Sequence, residues 1–350
     1  MSCENVSLSL VENPINYINT IEFASQEGIS TQAIILVIVS KNTENISQLK
    51  RMINEDEWSD VVYCFNDCNV NLFSYVRLFL KFKKELSNFK LDYLISGYYE
   101  HKVNVYLYQI CNYNRFILVD DGNMTIFTND LRHHTKSISP LSISKRLVSK
   151  LGMLIVAMFV GYKKVYLDKV TYFTSKNLSV SNGDDVIQNN YLNIKKNTLS
   201  KSIERDVCFF LGAPLSDISI TSLESEYDII ESAMSFLKSR YSRVFYFPHR
   251  FEDTKKIECV LDRYDVVVVD TQLPFELYLS SLSSSIPSCI AGFYTSTFSN
   301  LSYLATERQI MLNALVIPSQ LILNLKKSKL IESIYEKYSD DDSITLSTIL

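Results

Sequence analysis

The sequence predicts an α/β fold of two parallel sheets flanked by helices, arranged as two Rossmann-like domains facing a central cleft. Three observations lead there. Short runs rich in Val, Ile and Phe alternate with stretches of helical period along most of the chain, the pattern of strand–helix units. The 350 residues suit two domains of about 150 residues each, with two sizeable cores. A polar stretch with little periodicity, over about 175–204, separates one alternating series from the next. With 47% hydrophobic and 12% aromatic residues, the chain is not intrinsically disordered, a state that needs low hydrophobicity and high charge. Lys and Arg number 35 against 39 Asp and Glu, a net charge of −4. Phosphate-backbone binding needs a basic surplus, so nucleic acid is not an expected partner.

In chain order, residues 6–11 (VSLSLV) read as a strand and 14–25 as a helix. The run 33–40 (AIILVIVS) is a buried strand with a helix after it. Residues 60–64 and 93–96 are strands, and 115–119 (RFILV) ends at an acidic turn. Past the polar stretch, 207–211 (VCFFL) is a strand and 223–240 a long helix. Strands at 244–247 (VFYF) and 265–269 (DVVVV), a helix at 275–283, and strands at 289–293 and 310–317 follow. The expected division is a first domain at 1–175, a crossing at 176–204, a second domain at 205–325 and a C-terminal helix and tail at 326–350. Two such halves describe the GT-B type of glycosyltransferase. Ligands of open parallel sheets bind beyond the carboxyl ends of strands, so the residues just after strands carry the interest.

The eight glycines lie at least nine positions apart. Neither GxGxxG nor GxxxxGK[ST] can be written with that spacing, which removes the dinucleotide fingerprint and the P-loop. Seven cysteines, an odd number without a CxxC, read as free thiols in a reducing compartment. Cys64 and Cys68 stand four apart with no His or Cys cluster near them, so no zinc site is expected. The start, MSCENVSLSL, carries Glu4 and no basic segment, which argues against a secretory signal and for a cytoplasmic location. The longest apolar run, 151–160 (LGMLIVAMFV), is about half the roughly 20 residues of a spanning helix. Lys145, Arg146 and Lys150 precede it, and Lys163 and Lys164 follow. A buried core helix and a helix dipping into the inner, anionic membrane face through 145–164 are both open readings. A second copy of the chain is also kept open as a partner.

Four strands end in pointed sequences. Asp120-Asp121-Gly122 closes the 115–119 strand with two carboxylates and a residue suited to a sharp turn; an N-cap and turn is the alternative. Gly212-Ala213-Pro214 leads to Asp217, an acid able to take a proton from a sugar hydroxyl, or a helix cap. Pro248-His249-Arg250 brings an imidazole and a guanidinium off one strand, near a helix start, as an anion site. Glu276 can accept from a ribose diol. Thr295, Ser296 and Thr297 bring hydroxyls to the start of a helix, suiting a phosphate or an N-cap. Together they outline a site for a phosphate, a diol and a base. Asp340-Asp341-Asp342 is formally a DxD but reads as a solvated run.

At these residues the chain resembles the bacterial sialyltransferases of glycosyltransferase family 52, the lipooligosaccharide and capsule group, over roughly 6–305. Asp120-Asp121-Gly122 matches an acidic-acidic-Gly motif. Gly212-Ala213-Pro214 with Asp217 matches a Gly-x-Pro loop with a nearby acid. Pro248-His249 and Thr295-Ser296 match a Pro-His and a small-hydroxyl motif. Asn13-Pro14 with Asn19 and Glu22 is similar to the family's first strand–helix unit. The resemblance implies a GT-B fold, a CMP-sialic acid donor, a cell-surface glycan acceptor, inversion at the anomeric carbon, and neither metal nor cofactor. It gives His249 the departing CMP phosphate to protonate or hydrogen-bond. Thr295 and Ser296 grip that phosphate, and Glu276 holds the ribose. The base is Asp217, or Asp120 or Asp121 as in related families. Leu215 and Ser216 separate Asp217 from the proline that the family's acid follows directly, Thr295 stands for a Ser, and Arg250 for a Pro. Two other functions remain in view: a GT-B transferase using another nucleotide sugar, and a non-catalytic glycan-binding protein at the membrane.

Overall fold

A computed structural model describes residues 6–65, 71–87, 89–138, 147–181, 183–271 and 273–349. The chain divides into two compact units, Met1–Asn193 and Ile194–Leu350. Glu4, Cys68, Lys145 and Arg146, singled out above, lie outside the described residues, as does the side chain of Lys150. The five described cysteines are free thiols.

The first unit runs β1 (Val6–Val11), α1 (Pro14–Gln26), β2 (Ile34–Ile38), α2 (Thr43–Met52), β3 (Asp60–Tyr63), α3 (Leu72–Leu86), β4 (Lys90–Ser96), α4 (Lys102–Ile110) and β5 (Asn112–Val119). It continues with α5 (Asn123–His134), β6 (Ser137–Ile138), α6 (Leu147–Val160), β7 (Val165–Tyr166), β8 (Thr171–Thr174) and β9 (Asp185–Gln188). Seven strands make one sheet in the order β3-β2-β1-β4-β5-β8-β9, every pair parallel. The strands are apolar on both faces because both are covered. Leu8, Leu10, Leu94, Phe116 and Leu118 point to a core shared with α3, α4 and α6. Ile34, Leu36 and Ile38, with Ile95, Ile117, Val119 and Phe173, fill the opposite face under α1 and α2. That alternation is the two-residue period of a strand. Helix α1 starts where Asn13 Oδ1 accepts the Asn16 amide at 3.0 Å and Pro14 takes the first position, which spares a backbone donor.

The second unit repeats the plan. Helix α7 (Leu192–Leu199) spans the boundary between units. Then come β10 (Ser202–Leu211), α8 (Leu223–Lys238), β11 (Arg243–Phe247), α9 (Glu258–Arg263), β12 (Val267–Val268), α10 (Phe275–Ser281), β13 (Ser285–Gly292), α11 (Thr297–Arg308), β14 (Met311–Val316), α12 (Leu325–Ser339) and β15 (Ile344–Thr348). The sheet order is β12-β11-β10-β13-β14-β15, again all parallel. Two expectations from sequence change. The stretch 176–204 is no plain crossing, for it holds β9, all of α7 and the start of β10, and the tail holds β15 beside β14. Both β9 and β15 lie at sheet edges and are largely half-exposed. An edge strand with one open flank carries polar residues, so no apolar run announced either.

Candidate functional site

Both sheets reverse their strand order once. The reversal falls between β1 and β4 in the first unit and between β10 and β13 in the second. Such switch points open a crevice at the carboxyl ends of the strands.

At the first switch point Glu12 follows β1, Gly97 follows β4, and Asp121 stands two residues past β5. A Cβ on Gly97 would collide with the side chain of Asn16. The bare backbone thus seats the Asn16 amide in the crevice. Its Oδ1 accepts the Glu12 amide at 3.2 Å, and its Nδ2 donates to Asp121 Oδ1 at 2.9 Å. Asn13 Nδ2 donates to the same oxygen at 2.8 Å. One Asp121 oxygen is held by two amides, and the other meets no hydrogen-bond partner among the described residues. Gly122 has φ +64°, the left-handed turn that favours glycine. Burial pushes the Asp121 carboxyl up, the two amides pull it down, and the Asp120 charge adds to the rise.

Asp120 faces the other way. Its Oδ1 accepts from Thr125 at 2.6 Å, and its Oδ2 accepts from Thr174 at 3.0 Å and from Lys176 Nζ at 2.7 Å. That carboxylate is buried, paired and saturated, so of the two adjacent acids only Asp121 is open. Asn19 and Glu22 have structural partners: Asn19 Nδ2 donates to the Asp120 carbonyl at 2.9 Å, and Glu22 accepts the Asn193 amide at 2.9 Å.

Glu12 was not foreseen, although it follows a strand as Asp120 does. Burial, then the Asp121 charge, push it up to about 7, while Lys41 pulls it down. A carboxyl higher in the folded state than its ordinary 4.5 gives stability below about pH 4.5 that is lost as pH rises through 7. The melting temperature should therefore fall between pH 5 and 8, and Glu12→Gln should flatten that fall in a thermal-melt series.

In the second unit, Gly212 follows β10 and Gly292 closes β13 on opposite lips of the switch point. A Cβ on Gly212 would strike the Glu252 carboxylate and the Tyr246 ring. Glu252 uses that gap. Its Oε1 accepts from the Tyr246 hydroxyl, its Oε2 accepts the His249 amide at 2.9 Å, and its own amide donates to the His249 carbonyl at 2.8 Å. Burial pushes Glu252 up to about 7, with the Glu226 charge assisting against its hydrogen bonds. Glu252 stands three residues beyond His249 and braces the loop that carries it. Gly212→Ala should displace that carboxylate, loosen the His249 loop and cost about 1–3 kcal/mol by overpacking, measured by chemical denaturation.

His249 lies beyond β11 after Pro248. Its Nδ1 accepts the Phe251 backbone amide at 3.2 Å. A fixed N–H at Nδ1 excludes a proton there, so the neutral ring carries its hydrogen on Nε2. Burial and the Arg250 charge hold its pKa below the usual histidine value against Asp217. Arg250 stacks its guanidinium 4.8 Å from the Phe251 ring.

Asp217 is not an open carboxylate. Lys256 Nζ pairs with its Oδ2 at 2.5 Å and with buried Glu226 at 2.8 Å, and Ser216 donates to Glu226 at 2.5 Å. Glu276 opens α10, buried, with Oε1 accepting from Asn300 on α11 at 2.9 Å. Thr295 is clamped, its amide donating to the Tyr338 hydroxyl at 3.0 Å and that hydroxyl donating to its carbonyl at 2.6 Å. Thr295 Oγ1 accepts the Thr297 amide at 3.2 Å. Ser296 precedes α11 exposed, with no side-chain capping bond.

No protein-family profile and no curated protein matches this chain. Solved structures match its fold. A Photobacterium 2,6-sialyltransferase, in complex with CMP and lactose, is similar over 97% of this chain and 78% of its own, at 13% identity and a TM-score of 0.52. A UDP-GlcNAc 2-epimerase from Methanocaldococcus jannaschii is similar over 99% and 89%, at 10% identity and a TM-score of 0.50. The fold of this chain is α/β of the GT-B type, two parallel-sheet units in succession.

Proposed function

We propose that this protein is a glycosyltransferase, and more closely an inverting sialyltransferase akin to family 52 that moves sialic acid from CMP-sialic acid to a hydroxyl of a cell-surface glycan. The observation that carries the reading is the locked imidazole of His249. A neutral ring whose Nε2–H meets no partner among the described residues is a hydrogen-bond donor suited to a phosphate oxygen. In this reading CMP leaves as the bond from the anomeric carbon to its phosphate oxygen breaks, and His249 and the hydroxyl of Ser296 stabilise the charge that builds there. Thr295, whose hydroxyl already turns the start of α11, shapes that phosphate end, and Glu276 holds the ribose. Asp121 accepts the proton of the attacking hydroxyl through its open oxygen, and Asp217, tied to Lys256, supports the loop. No step calls for a metal.

The test is incubation with CMP-sialic acid and lactose, following CMP release and the anomeric configuration of the product by NMR. Release of CMP with an inverted product supports the reading. Thermal-shift runs with CMP, UDP and GDP complete it: stabilisation by UDP and not by CMP would move the donor to a nucleoside diphosphate sugar.

A membrane contact of the first unit is part of the proposal. No helix among the described residues is long and apolar enough to cross a bilayer. The outer faces of α3 and α6 nevertheless leave Phe73 80%, Met158 78% and Phe159 70% exposed, beside exposed Arg77, Lys81, Lys84, Lys163 and Lys164. Apolar wedges with a cationic rim suit an anionic surface. The protein should float with vesicles containing phosphatidylglycerol, and Met158→Ser with Phe159→Ser should reduce the floating fraction several-fold.

A further inference from the structure

Across the second sheet, three sulfur-bearing residues stand in one rung. Cys208 on β10 is the register partner of Cys289 on β13, and Cys289 is the partner of Met311 on β14. Register partners on parallel strands point to the same face. Both cysteines are fully buried, and their thiols hydrogen-bond to each other. The Tyr241 hydroxyl lies against Cys289 and, at 3.8 Å, against the Met311 sulfur. No other two cysteines among the described residues occupy neighbouring strand positions.

The strand geometry permits a covalent bond between the pair. Neighbouring strands run about 4.8 Å apart, and a disulfide spans about 4.4–6.8 Å between Cα atoms. Side chains on parallel neighbours start near the strand spacing, wider than the roughly 3.8 Å between the Cβ atoms of a relaxed bridge, so the strands must pinch. An irregularity beside the pair allows it. Glu204 pairs with Pro287 but Cys208 with Cys289, so β10 advances four residues where β13 advances two. Such a bulge disrupts the ladder locally. Arg205 and Asp206 are exposed within it, and Ser288 reaches across to donate to the Arg205 carbonyl. Solvent therefore comes within two residues of the buried thiols.

The two sulfurs are not equivalent. The hydrogen bond from Cys208 lowers the Cys289 thiol, against burial, and the Tyr241 hydroxyl lowers it further. Burial pushes Cys208 well up, and its hydrogen bond to Cys289 adds to the rise. The thiolate is the nucleophile, so Cys289 is the attacking sulfur and Cys208 the one that closes a bridge.

We propose that Cys208 and Cys289 are a reversible redox site, joined by a disulfide when the protein meets hydrogen peroxide. The Cys289 thiolate attacks one peroxide oxygen: the S–O bond forms, the O–O bond breaks, and the departing hydroxide takes up the proton that Cys289 gave away. The Cys208 sulfur then attacks the sulfenic sulfur. The S–S bond forms, the S–O bond breaks, and the Cys208 proton leaves with the sulfenic hydroxyl as water. Two thiols are oxidised and one peroxide is reduced to two waters. The pinched strands keep the bridge easy to reduce. It ties β10 to β13 four residues before Gly212 and three before Gly292, and it does not depend on the transferase reading.

The full chain, held well below its melting temperature, is treated with dilute hydrogen peroxide, denatured in N-ethylmaleimide and mapped by peptide mass spectrometry. The alkylated thiols should fall from seven to five, with one peptide pair joined through Cys208 and Cys289, and reduced glutathione should restore all seven. Tyr241→Phe should slow the joining several-fold and give the same product. Cys208→Ala should leave Cys289 as a sulfenic or higher acid with no joined pair. A wild-type protein that keeps seven reactive thiols, bridges other cysteines instead, or joins this pair only once it has unfolded overturns the assignment.

Discussion

Asp121→Asn is expected to lower transfer about 10³-fold, within the 10²–10⁴ that a positioned general base supplies, while leaving the melting temperature within a few degrees. Asparagine keeps an oxygen toward the Asn13 and Asn16 amides but cannot take the acceptor's proton. The neighbouring substitution gives the control. Asp120→Asn breaks the pair with Lys176 and leaves Thr125 and Thr174 facing an altered group. Removing one partner of a buried pair costs about 3–5 kcal/mol, so this variant should melt markedly lower. Turnover by CMP release, read beside a thermal melt, separates the two. Near-native turnover by the Asp121 variant would take the base away from this motif.

His249→Ala is expected to lower kcat by about 10²–10³-fold, the usual cost of losing one donor to a developing anion. The backbone should hold, since Glu252 binds the amide and carbonyl of residue 249 whatever its side chain. Any change in the wild-type rate from imidazole deprotonation should fall at lower pH than for an ordinary histidine, because burial and the Arg250 charge lower the ring's pKa. His249→Asn, which restores a neutral donor, should recover part of the loss. Asp217→Asn should change kcat little, because that carboxylate is paired with Lys256. A strong fall there, with His249→Ala unaffected, would reverse the two roles.

Much of the fold was legible because central parallel strands are apolar on both faces. The runs at 33–40 and 207–211 could be little else, and they form β2 and the end of β10. β9 and β15 escaped because their outer flanks are open and polar. The candidate residues were legible as positions after strands: Asp121 follows β5, His249 follows β11, and Thr295 and Ser296 follow β13. What separates Asp120 from Asp121 was not legible: Lys176 and Thr174 reach Asp120 from more than fifty positions away. Asp217 looked open for the same reason, as Lys256 closes on it from 39 positions downstream. Glu252 lies inside the segment that drew attention to His249, but its grip on that loop depends on the gap above Gly212.

The position of β9 has a practical consequence. A fragment of the first unit cut at residue 175 would strip β9 from β8 and bare the hydrogen-bonding groups of Thr171–Thr174. A freshly opened parallel edge invites strand addition from other copies, so such a fragment should precipitate on expression. One ending at Asn193 keeps β9 paired on β8 and is the length at which to clone the unit for separate study.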